Sequence, residues 1–246
     1  MIGAKGGCGT TLLCANLAAN IQVEGGVCAL DLDFGKGDLA GLLDMKPTQA
    51  VPHLLGRDCD PTLLRGCAVD HPAGFEVLGQ PHDMSELVRP SPAELRRFLD
   101  VVRATWGVVL MDCGSRVDDA VLAALRSADQ VVIVTSPDLL ALRDAARIRA
   151  LLGRIGIAPE HEWLLLNQAG KGLAVEEIEE VLGVPVSATL PRDEQACERA
   201  ITSGALIQEV APHSALSRQI AGLWASLNGE KPARRGWRLP WMWGAA

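Results

Sequence analysis

Four short apolar runs constrain this chain most: 27-VCAL-30, 107-GVVLM-111, 130-QVVIVT-135 and 163-WLLL-166. Each is rich in valine, isoleucine or leucine and bounded by glycine or polar residues, as strands buried on both faces are. The stretches between and around them repeat apolar side chains at helical spacing, over residues 10–22, 91–105, 117–126, 138–153, 173–182, 193–203 and 214–228. Start signals reinforce several of these helices: Ser91 before Pro92 and Glu94, the pair Pro137-Asp138, and Ser214. Strands alternating with helices predict an α/β fold, a mostly parallel sheet flanked by helices on both faces. Functional loops then belong beyond the carboxyl ends of the strands. Residues 44–90 are less regular, with a strand expected at 75-FEVLG-79, and are assigned to the same domain. Only Met1 to Ala4 precede the first glycine-rich turn, too few for a full central strand, which leads to the expectation that the natural chain begins upstream.

At 246 residues the chain supports one well-buried core. Its formal charge of −7 argues against a body that lies along nucleic acid. Basic residues gather instead at the end, where Lys231, Arg234, Arg235 and Arg238 oppose Glu230 alone. The division expected is a body over 1–228 and a basic, tryptophan-rich tail over 229–246. Cysteines at 8, 14, 28, 59, 67, 113 and 197 form no CxxC pair and mostly interrupt apolar runs, so they read as small buried hydrophobes in a reducing compartment. Neither a secretory leader nor a run of membrane-spanning length is present, which points to a cytoplasmic body. The histidines at 53, 71, 82, 161 and 213 lack metal-ligand spacing.

Chemistry concentrates in 5-KGGCGTT-11. Gly6, Gly7 and Gly9 permit a tight turn whose amide groups point inward, and a helix beginning near Thr10 adds its positive end, which together make an anion cradle. Thr11 stands where a hydroxyl reaches a nucleotide-bound magnesium. The strict phosphate-loop motif requires a lysine where this chain has Thr10, and a glycine where it has Ala4. Two further strands end in carboxylates, in 31-DLDFGKGDL-39 and 108-VVLMDCGS-115, and such groups at neighbouring strand ends can hold magnesium or its waters. Lys36 has two readings, a solvent-facing loop lysine or a cation approaching a phosphate.

These motifs, with 164-LLLNQ-168 and 190-LPRDEQACERAITSG-204 in the same order, resemble the MinD/ParA superfamily of P-loop ATPases with a deviant Walker A motif, over essentially all of residues 1–228. The chain is most similar to the branch of the TadZ and CpaE pilus-assembly localisation proteins and the actinobacterial septum-site-determining proteins. In that branch the loop lysine is often absent, a segment like 60-DPTLLRG-66 is usual, and a receiver-like domain commonly precedes the ATPase domain.

The resemblance implies ATP and Mg2+ as ligands. It assigns Lys5 to the signature lysine that reaches the nucleotide across a face-to-face dimer, and Gly6, Gly7, Cys8, Gly9, Thr10 and Thr11 to the phosphate cradle. Thr11, Asp33 and Asp112 become the magnesium-side residues, with Asp33 the switch I aspartate near the attacking water and Asp112 the Walker B carboxylate. Asp31 supports the switch I loop. Asn167 takes the base-contacting position, with Pro191 and Asp193 bordering the adenine, and Asn16 is as readily structural as functional. Thr10 departs from the pattern where charge matters: a hydroxyl donates one hydrogen bond but cannot neutralise a triphosphate, so binding is expected and hydrolysis is expected to be weak or absent.

The function implied is an ATP-dependent, dimerising spatial regulator that places a pilus or secretion apparatus or determines the septum site, with a protein of one of those machineries as partner. Two alternatives are a non-hydrolysing nucleotide-binding scaffold and a ParA-like DNA segregation ATPase, the latter weakened by the acidic body. Residues 234–244, RRGWRLPWMWG, fit either docking, on an apolar groove of the body or on a partner, or the inner membrane interface, where indoles and arginines settle at headgroup depth.

Overall fold

The structure is a computed structural model that describes residues 1–47 and 49–228; the tail and its two readings lie outside the described residues. The strands are β1 Ile2–Gly3, β2 Val27–Asp31, β3 Val69–His71, β4 Phe75–Leu78, β5 Val108–Asp112, β6 Val131–Thr135, β7 Glu162–Ala169 and β8 Ala188–Pro191. The helices are α1 Thr10–Ala18, α2 Leu39–Leu42, α3 Val51–Leu54, α4 Pro61–Cys67, α5 Pro92–Thr105, α6 Asp119–Ser127, α7 Leu139–Arg154, α8 Val175–Leu182, α9 Glu194–Ser203, α10 Ile207–Val210 and α11 Ala215–Asn228.

Two ladders, β3-β4-β2-β5 and β1-β6-β7-β8, make up the sheet. Met1 joins them: its ammonium donates to the Met111 carbonyl (2.6 Å), its carbonyl accepts from Cys113 N (3.0 Å), and Gly3 N donates to the Gly114 carbonyl (2.8 Å). All pairings within the ladders are parallel except β3 with β4. Strand order therefore reverses between β5 and β1, and this is the topological switch point at which open α/β sheets place their ligands.

β2 and β6 are buried at every position, which explains their unbroken apolar sequence. The β1 strand is only two residues long, so the amino-terminal halves of β5 and β6 flank a groove of about 590 Å³, lined in part by Met1, Leu17, Leu110, Val132, Trp224 and Leu227. It lies at the end of the strands opposite the glycine loop.

Caps explain where the helices begin. Ser91 Oγ accepts from Glu94 N while Glu94 accepts from Ser91 N, a capping box with Pro92 in the first turn. Asp60, Asp118, Asp138 and Asp193 each accept an amide in the first turn of the helix that follows. Several expected limits move inward: the first helix ends at Ala18 rather than at residue 22, the sixth begins at Asp119 rather than 117, and the eighth at Val175 rather than 173. The short strands β3 and β8 stand at the two edges of the sheet and were not expected from the sequence. Among the described residues no helix is long and apolar enough to cross a membrane.

Candidate functional site

The glycine loop leaves β1 and enters α1 at the switch point. Gly7 (φ 84°) and Gly9 (φ 86°) lie in the left-handed region that side chains resist, and Gly9 caps α1 without any side-chain acceptor. Helices α4, α5, α6, α7 and α9 use serine or aspartate there. As a result, the N–H groups of Gly6, Gly7, Gly9, Thr10 and Thr11 meet no acceptor among the described residues. The carbonyl side of the loop is tied down. Asn167 Nδ2 donates to the Cys8 carbonyl (2.8 Å) and Gln168 Nε2 to the Gly7 carbonyl (2.9 Å). Amides turned outward and carbonyls held inward form a concave anion site.

The carboxylates come from the neighbouring strands. Asp31 and Asp112 stand opposite each other in the β2–β5 register, and both are buried. Burial, then the Asp112 charge, pushes the Asp31 carboxyl well above its ordinary range, against the pull of the Leu39 and Asp33 amides. Those two amides donate to Asp31 at 3.1 and 3.0 Å, so Asp31 shapes the loop that follows β2. Burial also raises Asp112, while the nearby Thr11 hydroxyl, the Gly114 amide and the chain's ammonium lower it. Asp33 is half-buried, accepts from Gly35 N (2.9 Å) and packs closely over Gly114, where a methyl group would sit 2.4 Å from its Oδ2. The loop after β4 joins the cluster through Gln80, whose Nε2 donates to the Asp31 carbonyl (2.9 Å).

Lys5 reaches Asp138 at 3.2 Å across the β1–β6 junction. Burial raises Asp138, but the Ala141 amide, the Ser136 hydroxyl and Lys5 outweigh it and hold the carboxyl below its usual range. Thr10 is buried, and a methyl group on Gly3 would sit 2.5 Å from its Oγ1 and 3.4 Å from the Gly114 carbonyl. Its short hydroxyl is thus turned in toward the strand ends.

Other expected positions take structural roles. Asn16 donates to the Leu12 carbonyl and accepts from Ile207 N (2.7 Å), which ties α1 to α10. Lys36 pairs with Asp38 at 3.7 Å, with both side chains largely exposed, so the solvent-facing reading holds in this structure. Asp193 caps α9, and Pro191 ends β8 opposite Ala169. Sequence reasoning missed the Asp138 partnership with Lys5, Gln80 and Gln168. Their roles follow from which strands are neighbours.

The donor set fits a magnesium-bound polyphosphate. A methyl group on Gly6 or Gly7 would meet nothing within 4 Å, so the cradle is open where phosphates would lie. Among the described residues no group of three or more metal-ligating side chains forms a closed metal cage. Magnesium bound through one or two carboxylates and phosphate oxygens needs none.

No protein-family model matches the chain. It is 29% identical over 202 residues to a putative septum site-determining protein MinD of Mesostigma viride, covering 77% of this chain and 68% of that protein. The structure superimposes on a ParA family ATPase of Chlorobium tepidum with a TM-score of 0.84 at 26% identity, covering 93% of this chain and 97% of the other. It also superimposes on the septum site-determining protein MinD of Pyrococcus horikoshii, solved with Mg-ADP, with a TM-score of 0.79 at 21% identity, covering 92% and 93%. In fold this chain matches the ParA/MinD structures, an α/β architecture with a mostly parallel central sheet, and in sequence it is similar to septum site-determining proteins MinD.

Proposed function

We propose that this chain is a nucleotide-operated spatial regulator of the MinD/ParA type, which binds ATP with Mg2+, pairs face to face with a second copy, and turns the nucleotide over slowly. The observation that carries the reading is the outward-facing amide cradle of residues 6–11 set beside Asp33 and Asp112 at the switch point. Bound ATP would supply the phosphoryl group and the charge that organise the loops. The chain's own part is to receive the phosphates on backbone amides, hold magnesium through Thr11 and Asp112, and orient water with Asp33. Asn167, Pro191 and Asp193 border the base. Lys5 is held in cis by Asp138 and serves the nucleotide of the partner copy once released.

Within this reading the chain is of the TadZ/CpaE and actinobacterial septum branch, and its output is the placement of a pilus or secretion apparatus or of the septum. A cytoplasmic body that meets the inner membrane face through residues 234–244 fits such a role. The non-hydrolysing scaffold remains the second reading, favoured by Thr10 turned into the strand ends.

Calorimetric titration with ATP and Mg2+, phosphate release from the same preparation, and light scattering with and without nucleotide test the reading together. Binding with a mass that doubles on ATP and slow release of phosphate is expected. Absence of ATP binding would overturn it. Co-sedimentation with anionic vesicles, comparing the full chain with one ending at Asn228, tests the membrane role of the tail.

A further inference from the structure

Thr10 leaves the nucleotide reading short of one positive charge within the protomer. Lys5 is engaged by Asp138 and Lys36 by Asp38. Another cation, Arg116, lies on the loop that leaves β5. Arg116 is exposed and makes no hydrogen bond or ion pair among the described residues. Its guanidinium is not directed to open solvent alone: a methyl group on Gly35 would sit 3.3 Å from Arg116 Nη1, 3.6 Å from its Cδ and 3.1 Å from Asp33 Oδ1. Arg116 and the Asp33 carboxylate therefore flank the same face of Gly35. Asp33 also crowds Gly114, where a methyl group would sit 2.4 Å from its Oδ2, and the Gly114 carbonyl and Thr10 Oγ1 both border the space over Gly3. An unpaired guanidinium thus stands beside Asp33, two residues along the chain from Gly114, whose carbonyl borders the same space as Thr10, the residue that stands where the lysine would.

We propose that Arg116 binds the terminal phosphate of a nucleoside triphosphate and supplies in cis the positive charge that Thr10 lacks. The inference rests on the nucleotide reading above and deepens it. Guanidinium suits the task because it is permanently charged and presents paired donors to phosphate oxygens. A residue that meets only the terminal phosphate also distinguishes ATP from ADP, which a backbone cradle contacting the inner phosphates does not.

The test is calorimetric titration of the full chain with a non-hydrolysable ATP analogue and, separately, with ADP, both with Mg2+, for the unmodified protein, Arg116→Ala, Thr10→Lys and the double variant. Melting temperature serves as the fold control, and an exposed, unpaired arginine should leave it unchanged. Arg116→Ala is expected to weaken the triphosphate analogue about tenfold or more, equivalent to about 1.4 kcal/mol, and ADP by less than about threefold. Thr10→Lys should restore triphosphate affinity in the Arg116→Ala background. Equal loss for both nucleotides, or no loss for either, would overturn the proposal while leaving nucleotide binding intact. Failure of the unmodified protein to bind either nucleotide would overturn the nucleotide reading itself, and this inference with it.

Discussion

The Lys5–Asp138 pair sets a measurable threshold for the proposed pairing of two copies. Asp138 does three things at once: it accepts from Ala141 N at 3.1 Å as the cap of α7, from Ser136 Oγ at 2.8 Å, and it holds Lys5 at 3.2 Å. The two halves of the ion pair are 38% and 44% exposed, so the pair is worth only about 0.2–1 kcal/mol. The cap adds about 1 kcal/mol. Asp138→Ala loses both, about 1–2 kcal/mol, which for a chain of this size lowers the melting temperature by roughly 2–8 °C. Asp138→Ser keeps a cap acceptor and gives up the lysine, so it should melt within a few degrees of the unmodified protein. Two lysines are released per dimer, so the serine variant should dimerise about 2- to 30-fold more tightly with ATP, the ratio corresponding to roughly 0.4–2 kcal/mol. Analytical ultracentrifugation across a protein concentration series with ATP and Mg2+ measures this directly. In a Lys5→Ala background the serine substitution should have no effect. A serine variant whose ATP-dependent dimerisation matches the unmodified protein, or which tightens equally without Lys5, would refute the latch.

Thr10→Lys should raise the rate of phosphate release at saturating ATP by at least about tenfold, because a cation at the loop stabilises charge developing on the transferred group; an unchanged rate would place the limit elsewhere. Arg65 donates to Glu76 (2.5 Å) and to the carbonyls of Gly25 (2.7 Å) and Thr105 (2.9 Å) beneath Trp106. Arg65→Ala should therefore cost about 2–3 kcal/mol, read from the urea midpoint, without altering nucleotide affinity. His71 is stacked on Phe75, and its Nδ1 accepts from Ala73 N, while burial, partly offset by Glu209, holds its pKa below 6.5. The unfolded chain then binds the proton more readily, so stability is fully present above about pH 6.5 and is lost as pH falls through the lower folded value. His71→Asn should flatten that loss in melting temperatures measured between about pH 7 and pH 5.

The parts of the fold legible in the sequence were those whose signal is local. Ser91, Pro92 and Glu94 announce a helix start without reference to anything distant, and the all-buried β2 and β6 declare themselves by unbroken apolar runs. The edge strands did not. β3 has three residues and β8 ends in Pro191, so neither carries the pattern of a strand packed on both sides. The site divides in the same way. Lys5, the glycines, Asp33 and Asp112 follow strand ends in one dimension. Asp138 showed in the sequence only as a helix start, because its meeting with Lys5 requires β6 to lie beside β1. Gln80 and Arg116 likewise needed the β4–β2–β5 order before either could be placed against the loop that follows β2.

The two amide side chains at the end of β7 have a kinetic consequence. Gln168 is one of two non-glycine residues described with a positive φ (61°), a costly conformation that aims its side chain at the Gly7 carbonyl, while Asn167 holds the Cys8 carbonyl. The glycine loop is therefore held in shape by β7, and, on the proposed function, little ordering remains to be done when a nucleotide arrives. Nucleotide association in stopped-flow should follow a single exponential whose rate rises linearly with concentration and does not level off, whereas Asn167→Ala with Gln168→Gly should introduce a plateau set by the folding of the loop around the phosphates.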